Sequence, residues 1–367
     1  MLRLAKIVIV LGFIAFFFGA ISLGFLMIIS GGDPVDYLRT TYLRMTLATR
    51  QEDLERSVSS DASEQILQIA SGDTPFIIAQ KLREQSLIVD AELFVDYMVV
   101  EGLDTQLQEG AFFLNQTMTI PDIAATITDR ANAGILFVIL PGTRIEEIVE
   151  NIDQATRLPF TGSDFYNVVS SGAQIDLTLS QQLGIPVGAS LEGFLFPDTY
   201  VVSPNSTATA FRDMVLQNFV ETVGTQLLID ANAQDLSMRD VVTIASIAQR
   251  EAVWDDEHVL ITSVYRNRLD AGMKLDADPT VQYALQGARG RWWTNISPAD
   301  YRGVESPYNT YLNFGLPPSP IANPSLSAIR AAIYPAESSY IYFRARCDGS
   351  NYHRFATTYD EHLVNGC

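Results

Sequence analysis

The stretch LEGFLFPDTY (191–200) places a carboxylate, Glu192, inside one of the most apolar short runs of the chain. If residues 191–196 are extended, side chains alternate, and Glu192, Phe194 and Phe196 share one face while Leu191, Gly193 and Leu195 share the other. The spacing then predicts an acid set in an aromatic wall. Desolvation disfavours the ionised form there, so the carboxyl keeps its proton near neutral pH. That is the state a general acid needs to protonate a leaving oxygen such as that of a glycosidic bond. The competing structural reading leaves Glu192 at a strand end, pointing to solvent.

A second carboxylate lies on the longest helical signal, SMRDVVTIASIAQREAV (237–253), which starts with Ser237 and Asp240 at capping-box spacing. Ile244, Ile247, Ala248 and Glu251 follow the rhythm of one helix face. Glu251 thus prolongs an apolar stripe near a helix C-terminus, where the macrodipole disfavours negative charge. Such an acid is either paired with a cation, Arg250 being adjacent, or faces the same cleft as Glu192. Trp292 and Trp293 can cover the apolar faces of pyranose rings, and SPYNTYLNFGLPPSP (306–320) offers Ser306, Tyr308, Asn309 and Tyr311 for hydrogen bonds. Core packing and a rigid Pro-rich loop account for the same residues. Asp278, before Pro279, reads as a turn or helix cap, with contact to substrate as the alternative.

Other chemistries lack their residues. His258, His353 and His362 show no metal-binding spacing, and no GxSxG, GxxxxGKS/T or GxGxxG motif occurs, so neither metal nor cofactor is expected. With 24 Lys and Arg against 43 Asp and Glu the net charge is −19, which argues against a nucleic-acid partner. A neutral, sugar-like or peptide-like substrate suits that balance.

The elements that must position these groups follow a simple plan. Ile7 to Ser30 holds about two dozen consecutive uncharged residues, enough at 1.5 Å rise to cross the roughly 30 Å hydrocarbon core and too long for a signal-peptide core. Arg3 and Lys6 precede it, so the tail stays in the cytoplasm and the remainder lies outside. We expect a cytoplasmic tail and transmembrane helix over 1–32, a linker or stalk over 33–64, a small module over 65–130 and a larger domain over 131–367. The module reads as a strand, two helices and a strand, then a helix with Pro121 at its start. The larger domain opens on GILFVILPGTRIEEIVENI (134–152), a buried-strand run followed by Pro-Gly and a helix, and closes on two strands around an Asp-Gly turn. Strands and helices interleave without βαβ repetition, so the fold class is α+β. Cys347 and Cys367 either pair, closing a loop of about 20 residues worth roughly 3 kcal/mol, or remain two free thiols.

These blocks together resemble the endolytic murein transglycosylases, the YceG-like proteins of bacterial cell envelopes. The resemblance rests on LEGFLFPDTY, TIASIAQREA, VYRNRLDAGMKLDADPTVQYAL, SPYNTYLNFGLPPSPIANPSLSAIRAAIYPA and YIYFRARCDGSNYHRFATTYDEH, in the family's order over roughly residues 65–363. It implies that residues 65–130 form a LysM-like, peptidoglycan-binding module and that the chain makes a lytic cut between MurNAc and GlcNAc in nascent glycan strands. It implies that Glu192 is the catalytic glutamate. Glu192 would protonate the glycosidic oxygen and then, as carboxylate, help deprotonate the MurNAc 6-hydroxyl that closes a 1,6-anhydro ring. A tethered hydroxyl has a high effective concentration, so a lone acid suffices. Asp198, in the same block, joins Glu251, Asp278, Ser306, Tyr308, Asn309, Tyr311 and Trp293 as substrate-binding candidates. The implied partners are peptidoglycan glycan strands and the synthases that polymerise them, met at a bacterial cell membrane. One position departs from the family: relatives commonly read S-I-x-E-K-E, and Gln249 stands here for the first glutamate. Two rival readings are a non-catalytic peptidoglycan-binding anchor and a hydrolase with Glu192 and Glu251 as acid and base, about 6.5–9.5 Å apart.

Overall fold

The structure, a computed structural model, describes residues 27–28 and 33–366. The expected membrane span falls almost wholly outside these, and among the described residues no helix is long and apolar enough to cross a membrane. The chain divides into two units, Met1–Gly134 and Ile135–Cys367. Both combine helices with two-stranded antiparallel sheets, an α+β architecture.

The first unit starts with α1 (Pro34–Thr49), capped by the Asp33 carboxylate, which accepts from the Val35 and Asp36 N–H groups. This helix occupies part of the stretch expected as a stalk. Of its apolar residues Leu43 and Leu47 join the core of the unit while Val35, Leu38 and Met45 stay exposed, a contact too sparse to show as periodicity. Then come β1 (Gln65–Ile69), α2 (Pro75–Glu84), α3 (Ala91–Val100), β2 (Gly110–Leu114) and α4 (Ile120–Thr128). Thr74, Asp90 and Thr119 cap the three helices. β1 and β2 are antiparallel, with Leu67 opposite Phe112, and both side chains sit in a core with Ile78, Leu82 and Phe94.

The second unit is built around one helix. Its elements include, in chain order, β3 (Ile135–Val138), α5 (Ile145–Gln154), β4 (Thr199–Val202), α6 (Ala208–Asn232), α7 (Met238–Glu251), α8 (His258–Asp270), α9 (Asp278–Ala284), α10 (Leu326–Ile333), β5 (Tyr342–Ala345), β6 (His353–Ala356) and α11 (Tyr359–Val364), with shorter helices at Gly162–Val169, Leu177–Leu183 and Asp300–Gly303. Ser237 and Asp240 form the capping box of α7. All of Val241–Ala248 is buried, Val241, Val242, Ile244 and Ala245 in one apolar cluster and Ile247 and Ala248 in another. Within that stretch the Thr243 and Ser246 hydroxyls are satisfied by the Arg239 and Thr243 carbonyls, so the helix is buried there on every side and gives the residues at its C-terminal end a rigid mount.

β3 differs from its expected burial. Ile135 and Phe137 point into the core, whereas Leu136 and Val138 are 69% and 46% exposed. The sheet has only two strands and is covered on one face, so a continuous apolar run is buried at alternate positions. Among the described residues no cysteine is free; Cys367 lies outside them, and with it the expected pairing to Cys347.

Candidate active site

Glu192 is 1% exposed. It is not carried by an extended strand. Glu192 and Gly193 form a turn in which Gly193 has φ +89°, and the alternation of side chains ends there. Phe194 and Phe196 face Phe219 in the core, with ring centroids 5.3 and 6.0 Å away. A Cβ on residue 193 would stand 2.4 Å from Pro320 and 2.8 Å from Val242 of α7. Only glycine fits this close approach, and the turn aims the neighbouring carboxyl away from the aromatic wall that the spacing predicted.

Polar groups receive it instead. The Ile145 N–H, in the first turn of α5, lies 3.2 Å from both Glu192 oxygens. A helix N-terminus leaves such donors unpaired and favours negative charge. Tyr283 Oη, in the last turn of α9, is 3.4 Å from Oε2, and Asn323 Nδ2 is 3.5 Å from Oε1. Asn323 is fixed in turn, its Oδ1 accepting from the Leu195 N–H at 2.9 Å and its Nδ2 donating to the Thr143 carbonyl at 2.9 Å. Arg144, also 1% exposed, holds Glu146 through Nε at 2.5 Å and lies over the rings of Tyr283 (4.1 Å) and Trp292 (4.8 Å).

Burial dominates the acidity. It pushes the Glu192 carboxyl up to about 8, with the nearby Glu146 charge adding to the rise and Arg144, the Ile145 N–H and Tyr283 opposing it. At neutral pH the group is therefore protonated, yet it is surrounded by donors and a cation that would receive the anion once the proton leaves.

The other sequence candidates separate into groups. Glu251 ends α7, and its Oε1 accepts from the Tyr265 phenol at 2.8 Å. Arg250 lies on the Trp293 ring at 3.9 Å. Glu251 lines a cavity of about 530 Å³ with Asp278, Tyr301 and Tyr311, and Glu192 is not on that wall. Asp278 accepts from Tyr311 at 2.6 Å. Tyr308 packs on Tyr283, centroids 4.8 Å apart, and so stands behind the residue that touches Glu192. Trp293 and Trp292 donate to Glu147 and Glu150 of α5 at 2.8 and 3.0 Å.

Three candidates are occupied by the scaffold. Asn309 is fully buried, its Nδ2 donating to the Tyr301 and Val304 carbonyls and its Oδ1 accepting from the Tyr311 N–H, which leaves no free group for a sugar. Ser306 accepts from the Tyr308 N–H in the same loop. Asp198 takes hydrogen bonds from Thr199 and Asn218 beside β4. Gln249 accepts from the Ser325 N–H at 2.9 Å.

Arg144, Tyr283 and Asn323 escaped the sequence reading. Each sits in a short signal that could have pointed to it. Arg144 follows a Pro-Gly turn into a helix, Tyr283 closes the helix begun by Asp278, and Asn323 stands between prolines in PIANPS.

Fold and site together define an α+β protein with a buried carboxyl, Glu192, whose pKa burial raises to about 8. Residues 67–366 match the YceG-like family, and the chain belongs to that family. It is 28% identical over 310 residues to the endolytic murein transglycosylase of Bacillus subtilis, a match covering 81% of this chain and 82% of that one. The endolytic murein transglycosylase of Streptococcus pneumoniae is 27% identical over 305 residues, which are 76% of this chain and 53% of its own length, so the chain spans about half of that relative. A crystal structure of a YceG-like protein from Listeria monocytogenes superimposes with a TM-score of 0.54 at 26% identity, covering 83% of this chain and 99% of that one.

Proposed function

We propose that this protein is a lytic transglycosylase of peptidoglycan that cuts glycan strands between MurNAc and GlcNAc, with Glu192 as acid and then base. The observation that carries the reading is the environment of Glu192: a buried carboxyl held neutral up to about pH 8, with the Ile145 N–H, Tyr283 and Asn323 directed at its oxygens. Glu192 gives its proton to the glycosidic oxygen as the bond from MurNAc C1 breaks, and GlcNAc leaves with a free hydroxyl. The MurNAc 6-hydroxyl attacks C1, its proton passes to the Glu192 carboxylate, and the 1,6-anhydro ring closes without water. Tyr283, which donates toward Glu192, is itself overlaid by the Arg144 guanidinium.

Two supports bear on the rivals. A hydrolase would need a second carboxyl across the scissile bond, and Glu251 lines a cavity that Glu192 does not, with its Oε1 bound to Tyr265. A pure anchor has no use for a carboxyl kept neutral by burial. The order of β1, α2, α3 and β2 supports a LysM-like role for residues 65–130 in holding glycan. The uncharged stretch 7–30 supports anchoring by one membrane span, with the enzyme outside the membrane beside the synthases that extrude new strands.

The test is digestion of purified sacculi by the wild type and by Glu192→Gln. The wild type should release fragments whose ends weigh one water less than reducing ends, and the variant should release none. Reducing ends alone would refute the transglycosylase, and equal lysis by both proteins would remove Glu192 from the chemistry.

A further inference from the structure

The reaction proposed above leaves another acid with a burial-raised pKa unused. Glu251, the last residue of α7, and Asp278, the first of α9, line one cavity of about 530 Å³. Their hydrogen bonds come from phenols, Tyr265 to Glu251 at 2.8 Å and Tyr311 to Asp278 at 2.6 Å. A phenol satisfies an oxygen without cancelling its charge. Arg268, a cation on the same wall, is committed elsewhere, to the carbonyls of Ile341, Lys274 and Leu275 and to the Asp276 carboxylate. Arg250 lies on Trp293. The mutual repulsion is visible in Glu251, whose carboxyl is pushed up to about 7 by burial first and by Asp278 as well. Neither Glu251 nor Asp278 is in an ion pair among the described residues, although Arg268 and Arg344 line the same cavity.

Its other walls narrow the ligand further. Tyr301 and Tyr311 are stacked with centroids 4.1 Å apart, a flat apolar surface suited to a chain of methylenes. Arg344 of β5 lines the same cavity and suits a carboxylate on the same ligand, whereas His353 of β6 is held by Glu257 at 2.9 Å. An ammonium on an aliphatic stem, with a carboxylate nearby, matches all three features.

The cavity and Glu192 share a helix. Asp278 begins α9 and Tyr283, five residues on, meets Glu192, a rise of about 7.5 Å along the axis. A substituent of the sugar held at Glu192 is within reach of such a neighbour. In peptidoglycan that substituent is the stem peptide, which hangs from MurNAc and carries a diamino acid. We propose that the cavity reads the stem peptide of the strand being cut, taking the free ammonium of its diamino acid between Glu251 and Asp278. This rests on the glycan-cutting function proposed above, and it makes cleavage selective for strands whose peptides are present and whose side-chain amine is free.

Binding to the Glu192→Gln protein tests it apart from the chemistry, because that protein need not cut anything. Calorimetric titration compares three soluble glycan fragments: one with intact stem peptides, one with the side-chain amine acetylated, and one stripped of peptide. Acetylation and stripping should each weaken binding roughly tenfold or more, the worth of one charge-assisted hydrogen bond. Adding Glu251→Gln, or separately Asp278→Asn, should abolish the discrimination while the melting temperature holds. Equal affinity for the three fragments overturns the proposal, as does discrimination that survives both substitutions. In the cutting enzyme, Glu251→Gln should raise KM for intact strands toward that for acetylated ones; a fall in kcat at constant KM would put Glu251 in the chemistry and overturn its role in reading the peptide.

Discussion

Tyr283 Oη stands 3.4 Å from Glu192 Oε2, and the same ring carries the Arg144 guanidinium 4.1 Å from its centre. The contact is long while the carboxyl is protonated, and it has room to tighten when the carboxyl becomes an anion. Burial raises the Tyr283 phenol far above its ordinary range, so it remains a donor throughout. Tyr283→Phe should therefore lower kcat about tenfold, for a lost contribution of about 1.4 kcal/mol, with KM little changed. The phenol also holds the Glu192 pKa down, so the alkaline limb of the pH profile should move up in the variant. A rate profile from pH 5 to 10 checks both, and an unchanged kcat would show that the phenol only packs.

The acidity of Glu192 has a stability consequence of definite sign. The group titrates at about 8 when folded and near 4.5 when unfolded. Between these values the folded chain keeps a proton that the unfolded chain releases, so its contribution falls as pH rises through that window. Glu192→Gln removes the dependence. Its melting temperature should lie close to that of the wild type at pH 4 and exceed it by several degrees at pH 8. Glu251, pushed up to about 7, acts with the same sign over a narrower window. The same titration governs catalysis, where kcat/KM should fall about tenfold per pH unit above pH 8. An equal melting offset at pH 4 and pH 8 would mean that Glu192 is already charged in the folded protein.

What the sequence made legible was mostly local. The capping box of Ser237 and Asp240, the apolar face of α7 and the closing hairpin are set by neighbours a few residues apart, and these elements form where the pattern predicts them. The α+β class follows from the same patterns. The surroundings of Glu192 are set by contacts across 47, 91 and 131 residues, to Ile145, Tyr283 and Asn323, and no local period encodes them. The acid was found through the oddity of its setting, but the assumed strand was undone by one glycine. Asn309 shows the converse error: an amide in a sugar-like sequence is fully consumed by its own loop.

Gly193 links fold and chemistry. Its backbone is left-handed at φ +89°, and an added methyl would overlap Pro320 at 2.4 Å and Val242 at 2.8 Å. Gly193→Ala should destabilise the protein by about 2–3 kcal/mol, the combined effect of strain and overpacking. Any folded fraction should have lost most of its activity, because relief of the overlap turns the adjacent Glu192 away from Ile145. Urea unfolding and turnover per folded molecule measure the two parts, and a variant with wild-type midpoint and rate would show that the turn is not needed.

Gln249, the position at which the family resemblance implies a glutamate, accepts the Ser325 N–H through its Oε1 at 2.9 Å. Ser325 in turn caps α10 through its hydroxyl, and Asn323 at Glu192 is two residues upstream. The position thus asks for an acceptor oxygen, which amide and carboxylate both supply, so the charge is dispensable. Gln249→Glu should keep turnover within about twofold. Gln249→Ala leaves a backbone donor unpaired and should cost roughly 1–2 kcal/mol, with a several-fold drop in kcat as Asn323 loses its support. Thermal melts and rates on the pair decide it: if the glutamate abolishes activity while the alanine preserves it, the oxygen is not what this site requires.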